Sequence, residues 1–573
     1  MNKPYRVGVG KADITCLLYG KGMMGYGMHE NVAYSIETPL YVRAFVIAQG
    51  TQKIVFVVAE ICFYTIALKE AVVKTLQKQY PDDHYSDANV LLTAQHTHSG
   101  VGGYSHHILY NLCVPGFQQK NFDTIVKGTM EAIVMANNNM QTAELRFDKA
   151  AFSPNKKVAF NRSMPAYNNN PDVEKLPDDQ AHLAVDRYMK LLRFDTHDGK
   201  AIGQINWFGV HTTSISNDNH RICSDNKGYA AAFFEQEMSE NHPDFIAAFA
   251  QDVAGDVTPN YKWDKNKKWT RGKYKNDFKS AAHNGYLQCQ HAKKLWATAK
   301  DMPAQQGEID YALMFVDFSK VDIAPQFVGG KEGLHTVAAA QGTAFFRGTK
   351  EGPGMPSALG WVSNKVLAGI ALYEKTWGSR RKTADEQMAV LRKHALHGNK
   401  TLFMESGIGR IWFAPYISKL VMPGFVDKNV AYFKRLAREG FTQRTPWIPQ
   451  ILPIQIILLG DMALLGIAAE ITTVAGRRLQ ESVLEVLQQR GIRHVIINSY
   501  TNGYHGYITT PEEYDVQLYE GGHTVFGRYT LPAYQTKCVE LAKTLLLPAH
   551  ERPTDTTRPD LFSKEEIWYG WDK

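Results

Sequence analysis

The chain has 573 residues, of which 44% are hydrophobic, 11% aromatic and 21% charged. Those values describe a globular protein long enough to bury a large core, and they exclude a disordered, collagenous or small disulfide-stapled chain. The formal net charge of +7 is small for this length, and no zinc-finger spacing or homeodomain-like segment accompanies it, so no nucleic-acid partner is expected.

The opening, MNKPYRVGVGKADIT, enters a strand-like pattern at once, with no basic segment leading into an apolar one. No signal peptide is therefore expected, and the chain is read as cytoplasmic or as the mature form of a secreted protein. A strand at 53–60 and a helix at 64–80 follow, then a strand at 89–95 that runs into LLTAQHTHSGVGGY. In a strand, residues i and i+2 point to one face, so His96 and His98 are expected to look the same way before a glycine-rich turn. An isolated H-x-H serves hydrogen bonding about as often as metal binding or catalysis. A helix is expected at 122–138, and VAFNRS then presents Arg162. A strand at 203–210 delivers His211, a helix follows at 226–239, and a strand at 245–250 delivers Asp252, Asp256 and Thr258.

The segment 261–279 interleaves lysine and arginine with Tyr261, Trp263, Trp269 and Tyr274. It reads either as a solvated loop with its aromatics turned inward or as a contact with an anionic or membrane surface. Residues 300–400 are rich in glycine and small side chains and look like an inserted lobe. The two most apolar runs, starting at Lys53 and Ile451, are interrupted by Glu60 and by Gly460 and Asp461, so neither is a membrane span. A strand at 462–468 delivers Glu470 where a helix at 473–490 begins. A strand at 493–498 delivers Tyr504 and Tyr507, and a helix at 533–547 is followed from 549 by a charged, proline-containing tail expected on the surface.

Apolar strands between helices indicate an α/β fold whose sheet is covered on both faces, with ligands gathering at the carboxyl ends of strands. Taken singly, His211 reads as a hydrogen-bonded buried histidine, Glu470 as a first-turn carboxylate, Tyr507 as core and Arg162 as a salt-bridge partner. Together, two histidines and a glutamate from three strand ends match a zinc site that keeps a position open for water or substrate, provided the fold brings them together.

The ordered segments GVGKADIT, HTHSGVGGY, NRSMPAYNNNP, FGVHTTSI, CSDNKGYAA, GDVTPN, GIAAEITTVAGRR and GYITTPEEYDVQLYEGGHTVFGRYTLPAY resemble the neutral ceramidase family. The resemblance implies hydrolysis of the amide of ceramide, or of a related N-acyl lipid, to a free sphingosine-like amine and a fatty acid, with one Zn2+ ion. It implies His96, His211, Glu470 and Tyr507 as zinc ligands, and His98, Arg162 and Tyr519 as polar groups around the scissile amide. Thr258 stands where the family's GDVSPN carries serine; threonine keeps the hydroxyl but adds a methyl and a stiffer χ1. The segment after Asn260 lacks the cysteine-containing loop of some relatives.

The expected architecture is thus a large mixed-sheet α/β catalytic domain over 1–548, with helices on both faces and 300–400 as its lobe. A surface tail at 549–573 follows, without a complete C-terminal immunoglobulin-like domain. The expected chemistry is attack by zinc-activated water, with Arg162, His98 and Tyr519 stabilising the oxyanion and Thr258 holding a substrate hydroxyl. Two alternatives stay open: Thr258 as covalent nucleophile on phosphate or sulfate esters, and a non-catalytic lipid-binding relative. Peripheral contact with a membrane surface is part of the expectation.

Overall fold

The computed structural model describes residues 3–352, 354, 357–378, 382–411, 428–559 and 561–570. Small parts of the expected lobe (353, 355–356 and 379–381) and tail (560 and 571–573) lie outside the described residues.

Eight strands form the first sheet: β1 (Tyr5–Asp13), β2 (Tyr41–Gln49), β3 (Gln52–Ala59), β4 (Val90–Ala94), β5 (Gln141–Ala151), β6 (Tyr188–Thr196), β7 (Ala201–Trp207) and β8 (Ile246–Ala250), in the order β8-β7-β6-β5-β1-β2-β3-β4. The outermost pairs, β7 with β8 and β3 with β4, are parallel, and the pairs between them are antiparallel. A second sheet runs β9 (Asp310–Asp317), β10 (Ile451–Leu459), β11 (Met462–Ile467), β12 (His494–Asn498), with β11 and β12 parallel. All six expected strands are present, and the strand-like opening is β1.

The two sheets lie face to face. Val7, Phe45, Phe56 and Trp207 of the first pack against Ile457, Leu459, Leu464 and Ile496 of the second. Each such fully buried side chain contributes roughly 1.5–3 kcal/mol relative to exposure. Trp207 Nε1 donates across the layer to Asn498 Oδ1 at 2.7 Å, which satisfies the one polar atom the indole carries into this core.

Helices cover both outer faces. On the first sheet, α1 (Ile66–Gln79) and α2 (Gln119–Asn138) pack over the β1–β3 side. At the other end of that sheet, α3 (Asp225–Met238) and α4 (Asp277–Ala299) cover β7 and β8. The expectation of helices on both faces therefore holds for the stack as a whole. Within the expected lobe, α5 (Ser357–Lys375) and α6 (Ala384–His397) pair, and Leu367 anchors α5 on Ala340 and Leu402. The second sheet is covered by α7 (Thr473–Leu487) and α8 (Thr530–Thr544). In the expected tail, Trp568 is buried with Ile108, Leu112 and Trp447. Among the described residues no helix is long and apolar enough to cross a membrane.

The basic segment splits between its two readings. It forms a short hairpin, Lys262–Asp264 with Trp269–Arg271, that leads into α4. Tyr261 stacks inward on Phe160 at 4.5 Å, whereas Trp263 and Tyr274 are exposed.

Candidate active site

Strand β4 ends at Ala94, and the backbone turns out of the extended region at His96, whose φ is +75°. A left-handed conformation is rare for a residue with a Cβ and marks a constrained position. The alternation argument for His96 and His98 is therefore corrected: neither lies in the strand. Their rings meet through the turn instead, with the two Nε2 atoms 3.0 Å apart.

His96 Nδ1 lies 2.7 Å from Cys62 O, and His211 Nδ1 lies 2.9 Å from Val257 O. A carbonyl can only accept, so each Nδ1 carries the proton and each Nε2 presents a lone pair. Those lone pairs face a carboxylate. His96 Nε2 is 3.4 Å from Glu470 Oε1, and His211 Nε2 is 2.9 Å from Glu470 Oε2 without the geometry of a hydrogen bond. One ligand atom from each of His96, His211 and Glu470 lies within 4.8 Å of the others, and all three residues are buried. His98 Nε2 is the nearest neighbour of His96 Nε2, and a cation shared by His96, His211 and Glu470 would satisfy these acceptors together. The donor set, two imidazoles and a carboxylate with their other atoms hydrogen-bonded, fits zinc.

The surroundings hold these groups in place. Tyr504 donates to Glu470 Oε1 at 2.5 Å and Tyr500 to Oε2 at 3.3 Å, and Tyr500 stacks on the His96 ring at 4.0 Å. Burial would raise the Glu470 carboxyl, but His96, His211 and Tyr504 outweigh it and hold it well below its usual range. Burial pulls His96 down to about 4, which keeps the imidazole neutral as a metal ligand must be. His98 is pushed well below its ordinary value by burial and by His96. Its Nδ1 has no hydrogen-bond partner among the described residues, and its ring packs edge-on against Tyr26 at 4.6 Å.

Glu470 and Tyr507 pair directly in a two-residue parallel bridge, Glu470–Ile471 with Tyr507–Ile508. Burial and Glu470 push the Tyr507 phenol well up. Its hydroxyl accepts from Arg162 Nη2 at 3.0 Å. Arg162 also donates from Nε to Glu520 Oε1 at 2.8 Å, from Nη1 to Glu351 Oε2 at 2.8 Å, and from Nη2 to Gly255 O at 2.9 Å. A guanidinium has five N–H groups, so at most one is left for a substrate. Arg162 is thus braced against Tyr507, Glu351, Glu520 and the Gly255 carbonyl. Tyr519 flanks both, with its ring 5.5 Å from that of Tyr507 and 5.7 Å from the Arg162 guanidinium.

Thr258 joins through a residue the sequence reading missed. Its hydroxyl donates to Glu351 Oε1 at 2.5 Å and accepts from Asn260 N at 2.9 Å. Glu351 Oε1 also accepts from Thr213 Oγ1 and Asn260 Nδ2, both at 3.0 Å. Burial would raise this carboxyl, but Arg162, His211 and Thr258 hold it below its ordinary value. Glu520, which also accepts from Ser163 Oγ at 2.7 Å, was missed as well, although it directly follows Tyr519. The other two strand-end acids are scaffold: Asp252 pairs with Lys190, and Asp256 accepts from the amide and hydroxyl of Thr473 at the start of α7.

Comparison with known proteins adds to this geometry. The family model described as "Neutral/alkaline non-lysosomal ceramidase, N-terminal" matches residues 5–391 and 432–536. The neutral ceramidase of Pseudomonas aeruginosa is 34% identical over 563 residues, covering 97% of this chain and 74% of the relative. Neutral ceramidase B of Dictyostelium discoideum is 32% identical over 590 residues, covering 97% and 75%. The neutral ceramidase of Mycobacterium tuberculosis is 31% identical over 573 residues, covering 98% and 80%. A solved structure titled "Ceramidase complexed with C2" superposes with a TM-score of 0.78 at 34% identity, covering 97% of this chain and 77% of that one. A crystal structure of the neutral ceramidase from Pseudomonas aeruginosa gives 0.76 at 32% identity, covering 98% and 77%.

Proposed function

The chain belongs to the neutral/alkaline non-lysosomal ceramidase family and is a ceramide amide hydrolase, and on that footing we propose that it works with one zinc ion held by His96, His211, Glu470 and Tyr507. The observation that supports the metal is the convergence of His96, His211 and Glu470, with the Nδ1 protons of both imidazoles spent on Cys62 O and Val257 O and their Nε2 atoms within reach of one carboxylate. When bound, the ion supplies Lewis acidity toward a carbonyl and hydroxide near neutral pH.

The remaining work falls to side chains of this chain. His98 donates its Nε2 proton to His96 Nε2 at 3.0 Å; once that lone pair is taken by a cation, the proton is available to an amide oxygen as it becomes an oxyanion and then to the leaving amine. Arg162 fixes the Tyr507 hydroxyl, and Tyr519 closes the other side of that phenol. Thr258 and Glu351 together present a donor and an anionic acceptor, the pair needed to hold a hydroxyl of the sphingoid head group. The substrate class is ceramide or a related N-acyl lipid, met at a membrane surface.

Elemental analysis coupled to a hydrolysis screen of ceramides and simpler N-acyl lipids tests this. Purified protein should carry about one zinc per chain, and His211→Ala should lose both the metal and more than about a hundredfold in rate. A metal-free His211→Ala protein that still cleaves the amide would end the reading. One observation favours a second mechanism: the 2.5 Å bond from Thr258 Oγ1 to Glu351 is the arrangement of a hydroxyl nucleophile and its base. Thr258→Val distinguishes the two, because a covalent route, on an amide or on a phosphate or sulfate ester, cannot survive loss of the hydroxyl.

A further inference from the structure

Helix α5 departs from the pattern of a surface helix, which buries an apolar stripe and turns charge to water. Its inward stripe is ordinary: Leu367 is buried against Ala340 and Leu402, with Ile370 and Ala371 beside it. Its outward side is apolar as well. Trp361, Val366, Leu372 and Tyr373 are 63%, 53%, 63% and 57% exposed. The next helix, α6, adds exposed Met388 and Leu391. Of the twenty-one large apolar side chains exposed among the described residues, seven fall between 361 and 391, so this is a patch rather than scatter.

The chemistry of the patch selects its cover. Trp and Tyr combine an apolar ring with a polar edge and settle at headgroup depth, and Leu and Val suit the acyl boundary below. The described residues of 357–397 carry five Lys or Arg against three Asp or Glu. Lys365 lies over the Trp361 ring at 5.8 Å, which places a cation beside the aromatic anchor. An apolar face with a basic surround fits an anionic lipid surface better than a neutral protein partner. The basic hairpin is the weaker candidate, because Tyr261 is turned inward and Lys267 and Arg271 are paired with Asp218 and Asp264.

We propose that α5 and α6 form the surface by which this protein docks on an anionic phospholipid bilayer, with Trp361, Leu372 and Tyr373 in the headgroup–acyl boundary. Glu351, bonded to Thr258 and Arg162 in the site, lies six residues before the start of α5. The docking face and Glu351 are therefore neighbours along the chain, which suits lipid arriving near the groups that cut it. That last consequence rests on the ceramide-hydrolase reading; the docking itself does not.

The test uses the full chain in a flotation assay with vesicles of phosphatidylcholine and phosphatidylserine, and of phosphatidylcholine alone. Wild-type protein should float with the anionic vesicles. The variant W361S/L372S/Y373S should partition about tenfold less or weaker still, while melting like wild type and hydrolysing a short-chain ceramide in buffer at the wild-type rate. The variant W263S/Y274S should float like wild type. The proposal is overturned if wild type does not float, if the triple variant floats equally well, or if W263S/Y274S is the one that loses binding. It is also overturned if wild type is a dimer that the triple variant converts to monomer, since a second copy then covers the face. Absence of turnover on short-chain ceramide by either protein would count against the enzymatic reading alone.

Discussion

Replacing Arg162 with methionine removes a cation from between two carboxylates. The Arg162, Glu351 and Glu520 side chains are 5%, 4% and 3% exposed, and each ion pair closes at 2.8 Å. Removing one partner of a buried pair costs about 3–5 kcal/mol, because an unpaired charge is left in a dry site. Here two charges are orphaned, and the Gly255 carbonyl and Tyr507 hydroxyl each lose a donor worth about 1 kcal/mol. Partial relief comes from the remaining donors, Ser163 on Glu520 and Thr258, Thr213 and Asn260 on Glu351. A net loss of about 4–6 kcal/mol follows, a large part of the 5–15 kcal/mol that typically holds a domain folded. Urea unfolding at constant m-value measures it. The double variant Arg162→Met/Glu520→Gln should recover about 2 kcal/mol, since it neutralises one of the orphaned charges. Turnover should fall in the single variant because Tyr507 loses its fixed donor, and it should stay low in the double variant. An Arg162→Met protein with unchanged urea midpoint and a hundredfold lower turnover would refute this reasoning, because the guanidinium would then be facing substrate rather than bracing Tyr507.

Gly25→Ala tests the wall behind His98: Gly25 has φ +125°, and a Cβ there would sit 2.4 Å from His98 Cγ. The variant should lose about 1–3 kcal/mol in urea and drop in turnover while zinc content stays near wild type, since His96 and His211 are untouched; full activity would show that His98 does not need its position. Lys69→Met tests a buried ammonium: Lys69 is 4% exposed, donates to the carbonyls of Asp87 and Val90, and burial lowers it from 10.5 to about 7. Between pH 7 and 10.5 the unfolded chain binds a proton that the folded chain does not, so wild-type stability rises with pH across that window by up to a few kcal/mol. Gln455 also donates to both carbonyls, so the substitution leaves them served, and the variant should lose the slope in urea midpoints measured from pH 7 to 10; an unchanged slope would place the titration elsewhere.

Legibility in the sequence followed burial. Strands β3, β4, β7, β8, β11 and β12 are short, mostly apolar and largely buried runs, and their polar neighbours at the carboxyl ends could be read off directly. Strand β5 escaped notice because Arg146, Asp148 and Lys149 interleave with the buried Leu145 and Phe147. Strand β10 was seen only as an apolar run, since nothing local says that it pairs with β9 and β11. The histidines at 96 and 98 were singled out for a reason the backbone does not honour: the turn, not strand alternation, brings their rings together. Glu351 was invisible because one acid among glycines looks like a solvated loop; only tertiary structure puts a guanidinium and three donors around it.

The site is divided between two cores. His96, His211 and Thr258 follow strands of the first sheet, whereas Glu470, Tyr507 and Glu520 belong to the half built on the second. Neither half holds a complete donor set. What ties them is Trp207 to Asn498 across the sheet interface, and Arg162, which accepts its position from Glu351, Glu520 and Tyr507 at once. Bringing the carboxylate to the imidazoles is therefore an act of sheet-on-sheet docking. A cation bound there stabilises only the docked state, by an amount that grows with its concentration over its dissociation constant. The apolar layer brings the halves within reach, the buried ion pairs set their register, and docking is what gathers His96, His211 and Glu470 into one pocket able to hold a metal.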